Sequence, residues 1–333
     1  MRYILTRVVQ GIFILLGVSI ITFFLPWLYF NPRELALQVL QGGPRINQAE
    51  ITAWVHQHGL DRNLLVQYWS WLTHAIHGDF GIAYKESHYP HDVSVNTVLS
   101  GRLWRSVYLV VPPTIASILI AIPIGLTQAI RRNKLYDHAM TTGVFVLYST
   151  PAVLVCILMA YYFGAVLHIG KSSVNPLAQG IPPSQFPSYM ITHFSDFLLP
   201  MAAILFLSIG GLTRYMRGSA LDTLVQDYIR TARAKGASPT RVLFRHVFRP
   251  SVIPLITIVG LTIPVIIGGA LIVEFIFNFP GMGIQTVSSV QSGDFTVVMA
   301  ITIFTAVLTV VGNLLADVFT AVADPRVRLT AAR

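Results

Sequence analysis

The sequence has 333 residues, of which 54% are hydrophobic and only 11% charged, with a net charge of +9. Soluble domains carry about 25% charged residues, so much of this chain must lie where charge is expensive, and a water-soluble globular fold is excluded. The excess positive charge sits in segments between apolar blocks, which suits anionic lipid head groups and calls for no nucleic acid.

The first apolar block, residues 8–30, holds no charged residue over 23 positions. A helix needs roughly 20 apolar residues to cross about 30 Å of hydrocarbon. Arg2 and Arg7 precede the block as in a secretory signal. The stretch exceeds the usual ~7–15 residues and no small-x-small site follows, so it reads as a retained helix.

Residues 31–105 form the longest segment on that side. Helical periodicity appears at 51–58 and 64–77, the second with a stripe of Leu64, Leu65, Tyr68, Trp69, Leu72 and Ile76. Gly78-Asp79-Phe80-Gly81 ends that helix. The segment reads as a small folded cap at the membrane face. It holds His56, His58, His74, His77, His88 and His91, without Cys or clustered carboxylates. Solvated polar residues explain these histidines better than a metal site does.

Five further blocks follow: 106–130, 139–170, 197–213, 251–273 and 295–316, uncharged over 25, 32, 17, 23 and 22 residues. The expectation is an all-α integral membrane protein with six transmembrane helices, residues 1–333 forming one domain. Pro112, Pro113, Pro123, Pro151 and Pro264 predict kinks. Cys156, the one cysteine, reads as a packing residue. Residues 171–196, with Pro176, Pro182, Pro183 and Pro187, read as an irregular outer loop. Just before it, 165–172 loosely match a phosphate loop ending in Lys171-Ser172. Val, Leu and Ile stand where a working loop needs glycines, so the match is set aside. The last two blocks carry Thr257, Thr262, Thr302, Thr305 and Thr309 with Gly260, Gly268, Gly269 and Gly312. Such residues serve close helix contact or line a polar path, and both readings stay open.

Charge sets the orientation. With the N-terminus inside, segments 1–7, 131–138, 214–250 and 317–333 hold 16 Lys/Arg against 5 Asp/Glu, and the other side holds 7 against 9. Both termini are therefore expected in the cytoplasm. Arg102 and Arg105 alone run against the rule, lying just outside the second block. No block carries an ionisable Asp, Glu, Lys or Arg in its interior, which disfavours a self-sufficient secondary carrier or channel.

The cytoplasmic loop 214–250 divides cleanly by local rules. Asp227 is placed to cap a short helix that ends at Lys235 and Gly236. Ser238 and Pro239 then start a second helix, on which Arg241, Arg245 and Arg249 fall on one stripe. A capped helix of this length suits a lever, and equally an amphipathic helix lying on head groups.

The run from Asp227 through Arg230-Thr-Ala-Arg-Ala-Lys-Gly236 to Arg249 resembles the EAA-type loop of ABC-importer permeases, in the version of the dipeptide/oligopeptide (and nickel) permease family. Arg230-Thr231-Ala232 occupies the Glu-Ala-Ala positions and Gly236 the glycine. Arg230 replaces the general pattern's Glu, and His246-Val-Phe-Arg249 replaces its downstream Ile-x-Leu-Pro; both departures resemble the peptide branch. The first helix (Met1 to Arg7 and Gly17-Val-Ser19), Gly59 to Tyr68, Gly78 to Gly81, Val273-Glu-Phe-Ile-Phe-Asn-Phe-Pro-Gly-Met-Gly283, Asn313 to Asp317 and Asp324-Pro-Arg326 are similar too. Phe30-Asn-Pro-Arg33 departs from the family's usual Pro-Gly-Asp-Pro.

The resemblance implies a type I ABC-importer-like transmembrane domain in a prokaryotic inner membrane. It implies no catalysis and no cofactor on this chain, with ATP and Mg on partner subunits. The implied partners are a second homologous permease, two cytoplasmic ATPase subunits and an extracytoplasmic substrate-binding protein. Di- and oligopeptides are the implied substrates; nickel or another small solute such as glutathione is the family's alternative. ATPase coupling falls on Asp227, Arg230, Thr231, Ala232, Arg233, Lys235 and Gly236. The family's outer gate falls on Glu274, Phe277, Pro280 and Gly281, where an ordinary outer loop is the competing reading.

Overall fold

The first apolar run folds as a single helix, α1, Arg2–Trp27, which continues through Gly11, Gly17 and Pro26. The computed structural model describes residues 2–28, 32–40, 48–83, 93–175, 181–255, 258, 260 and 270–323. The cap beyond α1 contains α2 (Pro32–Val39), α3 (Gln48–Gln57) and α4 (Leu64–Ile76). Asn63 caps α4 by accepting from the Leu65 N–H at 3.0 Å. Two short antiparallel strands, β1 (Ile82–Ala83) and β2 (Val93–Ser94), close the cap with Ile82 opposite Ser94. The expected helices at 51–58 and 64–77 are present; α2 and the strand pair were not legible.

The second block lies inside α5, Val95–Ile130, which runs unbroken through Pro112, Pro113 and Pro123. The expected kinks do not break it. Thr114 and Thr127 return hydroxyl hydrogen bonds to the carbonyls of Val110 and Pro123, local partners for backbone near those prolines. The third block is α6 (Leu135–Ser149) and α7 (Ala152–Leu158), the latter continued by a π-helix, Met159–Val166. The two arms bend by 98° at the break holding Pro151, where the missing N–H was expected to act.

A short helix α8 (Phe186–Thr192) sits in the expected irregular outer loop, ahead of α9 (Phe194–Leu224). The 17-residue fourth block is thus the middle of a 31-residue helix. Among the described residues, four helices, within α1, α5, α9 and the C-terminal helix α14 (Phe295–Ala323), are long and apolar enough to span, and a fifth if the bent pair counts as one. Most of the fifth predicted span, with Pro264, Thr257, Thr262, Gly268 and Gly269, lies outside the described residues, as do His88, His91, Pro176 and Asp324-Pro-Arg326.

Packing centres on α5 and α9, with α1 on α14 and α6 on α9. One core joins Leu109, Val110, Phe186, Phe197, Phe277 and Phe279. A second core joins Leu126, Met216, Ile229, Val242, Val247 and Leu255. A third ties Val95, Val98 and Leu99 to Met282, Val297 and Ala300.

Candidate functional site: the short basic helix and the buried acid

The polar loop after α9 folds into α10, Asp227–Ala234, followed by α11, Pro239–Arg241. Asp227 does not cap α10. The cap position is Gln226, which makes no side-chain cap bond, and Asp227 stands in the first turn facing Arg230 at 3.6 Å. An acid there still faces the positive end of the helix dipole. The other end follows the local rules. Gly236 adopts φ +77°, its N–H bonds the Arg233 carbonyl at 2.9 Å, and the Ala237 N–H reaches back to Ala232 at 3.1 Å. This Schellman closure satisfies carbonyls the helix leaves open. Ser238 then accepts from the Arg241 N–H at 3.4 Å, and Pro239 opens α11 as expected. A π-helix, Val242–Val247, follows and the helix resumes at 248–255.

Ile229 anchors α10: it is fully buried, packed with Val242, Val247 and Met216 in the second core. Ala232 is half-buried against the same core, so its small side chain fits the protein's own interior. Arg230, Thr231, Arg233, Lys235 and Gly236 are exposed, as are Arg241, Arg245 and Arg249. The helix therefore presents a basic outer face on an apolar root.

Behind it, α6 and α9 are joined by an ion pair absent from the sequence expectations. Arg217 donates from Nε and Nη2 to the two Asp137 oxygens at 2.8 and 2.9 Å. Asp137 also accepts the Asn133 N–H at 3.0 Å. Arg214 lies over the Tyr148 ring at 5.9 Å. At the opposite end of α9, Lys171 donates to Asp196 at 2.6 Å, and that carboxylate holds the Lys171 ammonium charged above its usual range. The lysine of the phosphate-loop match thus has a structural partner. In the cap, His56 faces Asp61, while His58, His74 and His77 each bond a carbonyl on the preceding helical turn.

The outer candidate residues lie on α12 (Leu271–Ile276) and the turn leading to α13 (Met282–Ser292). Glu274, Phe277, Phe279, Pro280 and Gly281 are all buried, so this is not an ordinary solvated loop. Ser106 of α5 donates its hydroxyl to Glu274 Oε1 at 2.7 Å. Glu274 Oε2 accepts from the N–H groups of Gly283 at 2.7 Å and Ile284 at 3.2 Å, and the Met282 N–H donates to Ser106 Oγ at 2.8 Å. A carboxylate from the preceding turn and a hydroxyl from the distant α5 thus cap α13. A Cβ on Gly281 would collide with both the Glu274 carboxylate and Ser106 Oγ. Ser106 and Arg105 were missed as site residues; Arg105 is buried, donating to the Ile181 carbonyl at 3.0 Å.

Comparison with known proteins places these features in context. Residues 121–329 match the family described as binding-protein-dependent transport system inner membrane component, and residues 1–115 match its N-terminal region. The chain is 37% identical over 331 residues to the oligopeptide transport system permease protein AppB of Bacillus subtilis (strain 168), covering 98% of each. It is 33% identical over 336 residues to the oligopeptide transport system permease protein OppB of Mycobacterium tuberculosis, covering 99% of each. It is 30% identical to the dipeptide transport system permease protein DppB of Lactococcus lactis subsp. cremoris, over 98% of the chain and 99% of that protein.

Proposed function

The chain belongs to the family of binding-protein-dependent transport system inner membrane components, and from that premise we propose that it is a pore-forming permease subunit of an ATP-binding-cassette importer for peptides. The observation that carries the mechanism is α10, whose apolar root at Ile229 is fixed in the second core while Arg230, Thr231, Arg233 and Lys235 face outward. Separate ATPase subunits, holding ATP and Mg, grip that outer face. A displacement of α10 passes through Ile229, Val242 and Val247 to the ends of α9 and the following helix. A second permease completes the pathway, and an extracytoplasmic binding protein delivers substrate. The segment from Glu274 to Gly281, with Glu274, Phe277, Phe279, Pro280 and Gly281 buried, shields the outer mouth. Peptides are the chosen substrate because near-full-length relatives are named for oligopeptide and dipeptide transport.

Purification from native membranes tests the assembly, and uptake by reconstituted vesicles tests the substrate. ATPase and permease partners should accompany the chain, and ATP enclosed in the vesicles should drive uptake of di- or oligopeptides supplied outside with the binding protein. A chain that purifies alone and transports without ATP overturns the importer reading. Uptake of nickel with no peptide uptake overturns the substrate alone.

A further inference from the structure

We propose that α4 is an interfacial membrane helix, with the stripe of Leu65, Trp69, Leu72 and Ile76 immersed in lipid of the leaflet where α1 ends. Under the charge asymmetry that leaflet is the outer one.

The depth of α4 is fixed by α1. The Tyr68 hydroxyl is 2.9 Å from the Ser19 hydroxyl, and Tyr68 is 7% exposed. Phe23 of α1 packs against the rings of Tyr68 and Trp71, each centroid at 5.5 Å, and Phe24 stacks on Tyr68 at 5.8 Å. The apolar window of α1 runs Thr6–Trp27. At ~1.5 Å rise per residue, Phe23 lies about 6 Å and Ser19 about 12 Å inside the end of that window. A helix bonded at those levels sits inside the boundary of the hydrocarbon, not above it.

The faces of α4 agree with that depth. One sector, Tyr68 and Trp71, is spent on α1. A second, Gln67, Ser70 and His74, lines a cleft of about 320 Å³ shared with Arg62 and Asp79. The third is apolar and open: Leu65 is 60%, Trp69 60% and Ile76 73% exposed. Residues of α1 that must meet acyl chains are exposed to the same degree, Ile21 at 64% and Leu25 at 55%. The stripe therefore continues the lipid-facing surface of the span that holds it. An apolar stripe of this kind in water would be a binding or aggregation surface, whereas at this depth lipid covers it. A tryptophan at its centre suits the acyl–head-group boundary.

Spin labelling of the assembled complex in phosphatidylcholine–phosphatidylglycerol vesicles tests this. In a Cys156→Ala background, single substitutions Trp69→Cys, Ile76→Cys and Leu65→Cys carry nitroxides, with Gln57→Cys on α3 as the aqueous reference. The labels on α4 should collide with oxygen several-fold more, relative to a water-soluble nickel chelate, than the reference does. Leu65→Cys keeps the reading available if loss of Trp69 disturbs the fold. Chelate access equal to that at Gln57 would put α4 in water and overturn the proposal. Labels immobilised and shielded from both reagents would mean that protein covers the stripe, which overturns it equally.

Discussion

Glu274 gathers three donors into a space closed to water, and its replacement shows what each contributes. Glu274→Ala leaves the Ser106 hydroxyl and the Gly283 and Ile284 N–H groups without their acceptor. Each buried polar group so stranded costs about 1–3 kcal/mol. Thermal unfolding of the purified complex should fall by several degrees, with a smaller loss for Glu274→Gln, which keeps one carbonyl acceptor. Equal stability of the alanine variant and the parent would show that the network carries no weight. Gly236 presents the opposite situation, because a Cβ there meets nothing within 4 Å. Its cost is conformational: a side chain at φ +77° loses roughly 1–2 kcal/mol, and asparagine loses least. Gly236→Val should therefore leave hydrolysis running with transport reduced, and Gly236→Asn should restore transport. Transport by the valine variant at the parental rate would separate the left-handed turn from coupling.

Among the elements, α10 has two sides that mutation can separate. Ile229→Ala removes a fully buried side chain from the core beneath α10, at about 2–5 kcal/mol. It should lower stability while ATPase binding, measured in solubilised complex, persists. Arg230→Glu with Arg233→Glu changes only exposed positions and should weaken ATPase binding at least tenfold while unfolding temperature stays put. Reversal of the two outcomes would mean that α10 faces its partner by the other side. The signals that end α10 and begin α11 were legible because they act within a few residues: Lys235, Gly236, Ser238 and Pro239. The inward turn of Ile229 and Ala232 was not, since it depends on Val242 and Val247 from the next helix. Asp227 was misread because an acid satisfies the helix end from the first turn as well as from the cap.

For the whole molecule, the apolar blocks located the helices, and their ends came from contacts the sequence does not display. Pro151 announced the break in the third span, yet Pro112, Pro113 and Pro123 did not break α5, which stays packed along α9. The fourth block seemed short because Asp196 and Arg214 bound it. In the structure the helix continues past Arg214 and Arg217, and Arg217 pairs with Asp137, 80 positions away. Side-specific labelling checks the orientation drawn from charge. Cysteines at Asn63 and Ser238, in a Cys156→Ala background, should react with an impermeant reagent from opposite faces of sealed vesicles. Reaction of both from one face would end the six-span arrangement.

The unbroken length of α9 suits it to carry a displacement from one end to the other. Phe197 near one end packs on Phe279 at 6.2 Å, and Thr223 at the other meets the Ser251 hydroxyl at 3.1 Å. A helix of 31 residues is about 46 Å long, so a tilt of about 5° around its middle displaces each end by about 2 Å, in opposite directions. Under the coupling proposed above, a push at the α10 end of the helix is expected to move the aromatic cluster at the other end. Paired labels reporting on Ser195 and Asp222 against α5 should then change distance in opposite senses during ATP turnover; changes of the same sign would mean the helix slides instead.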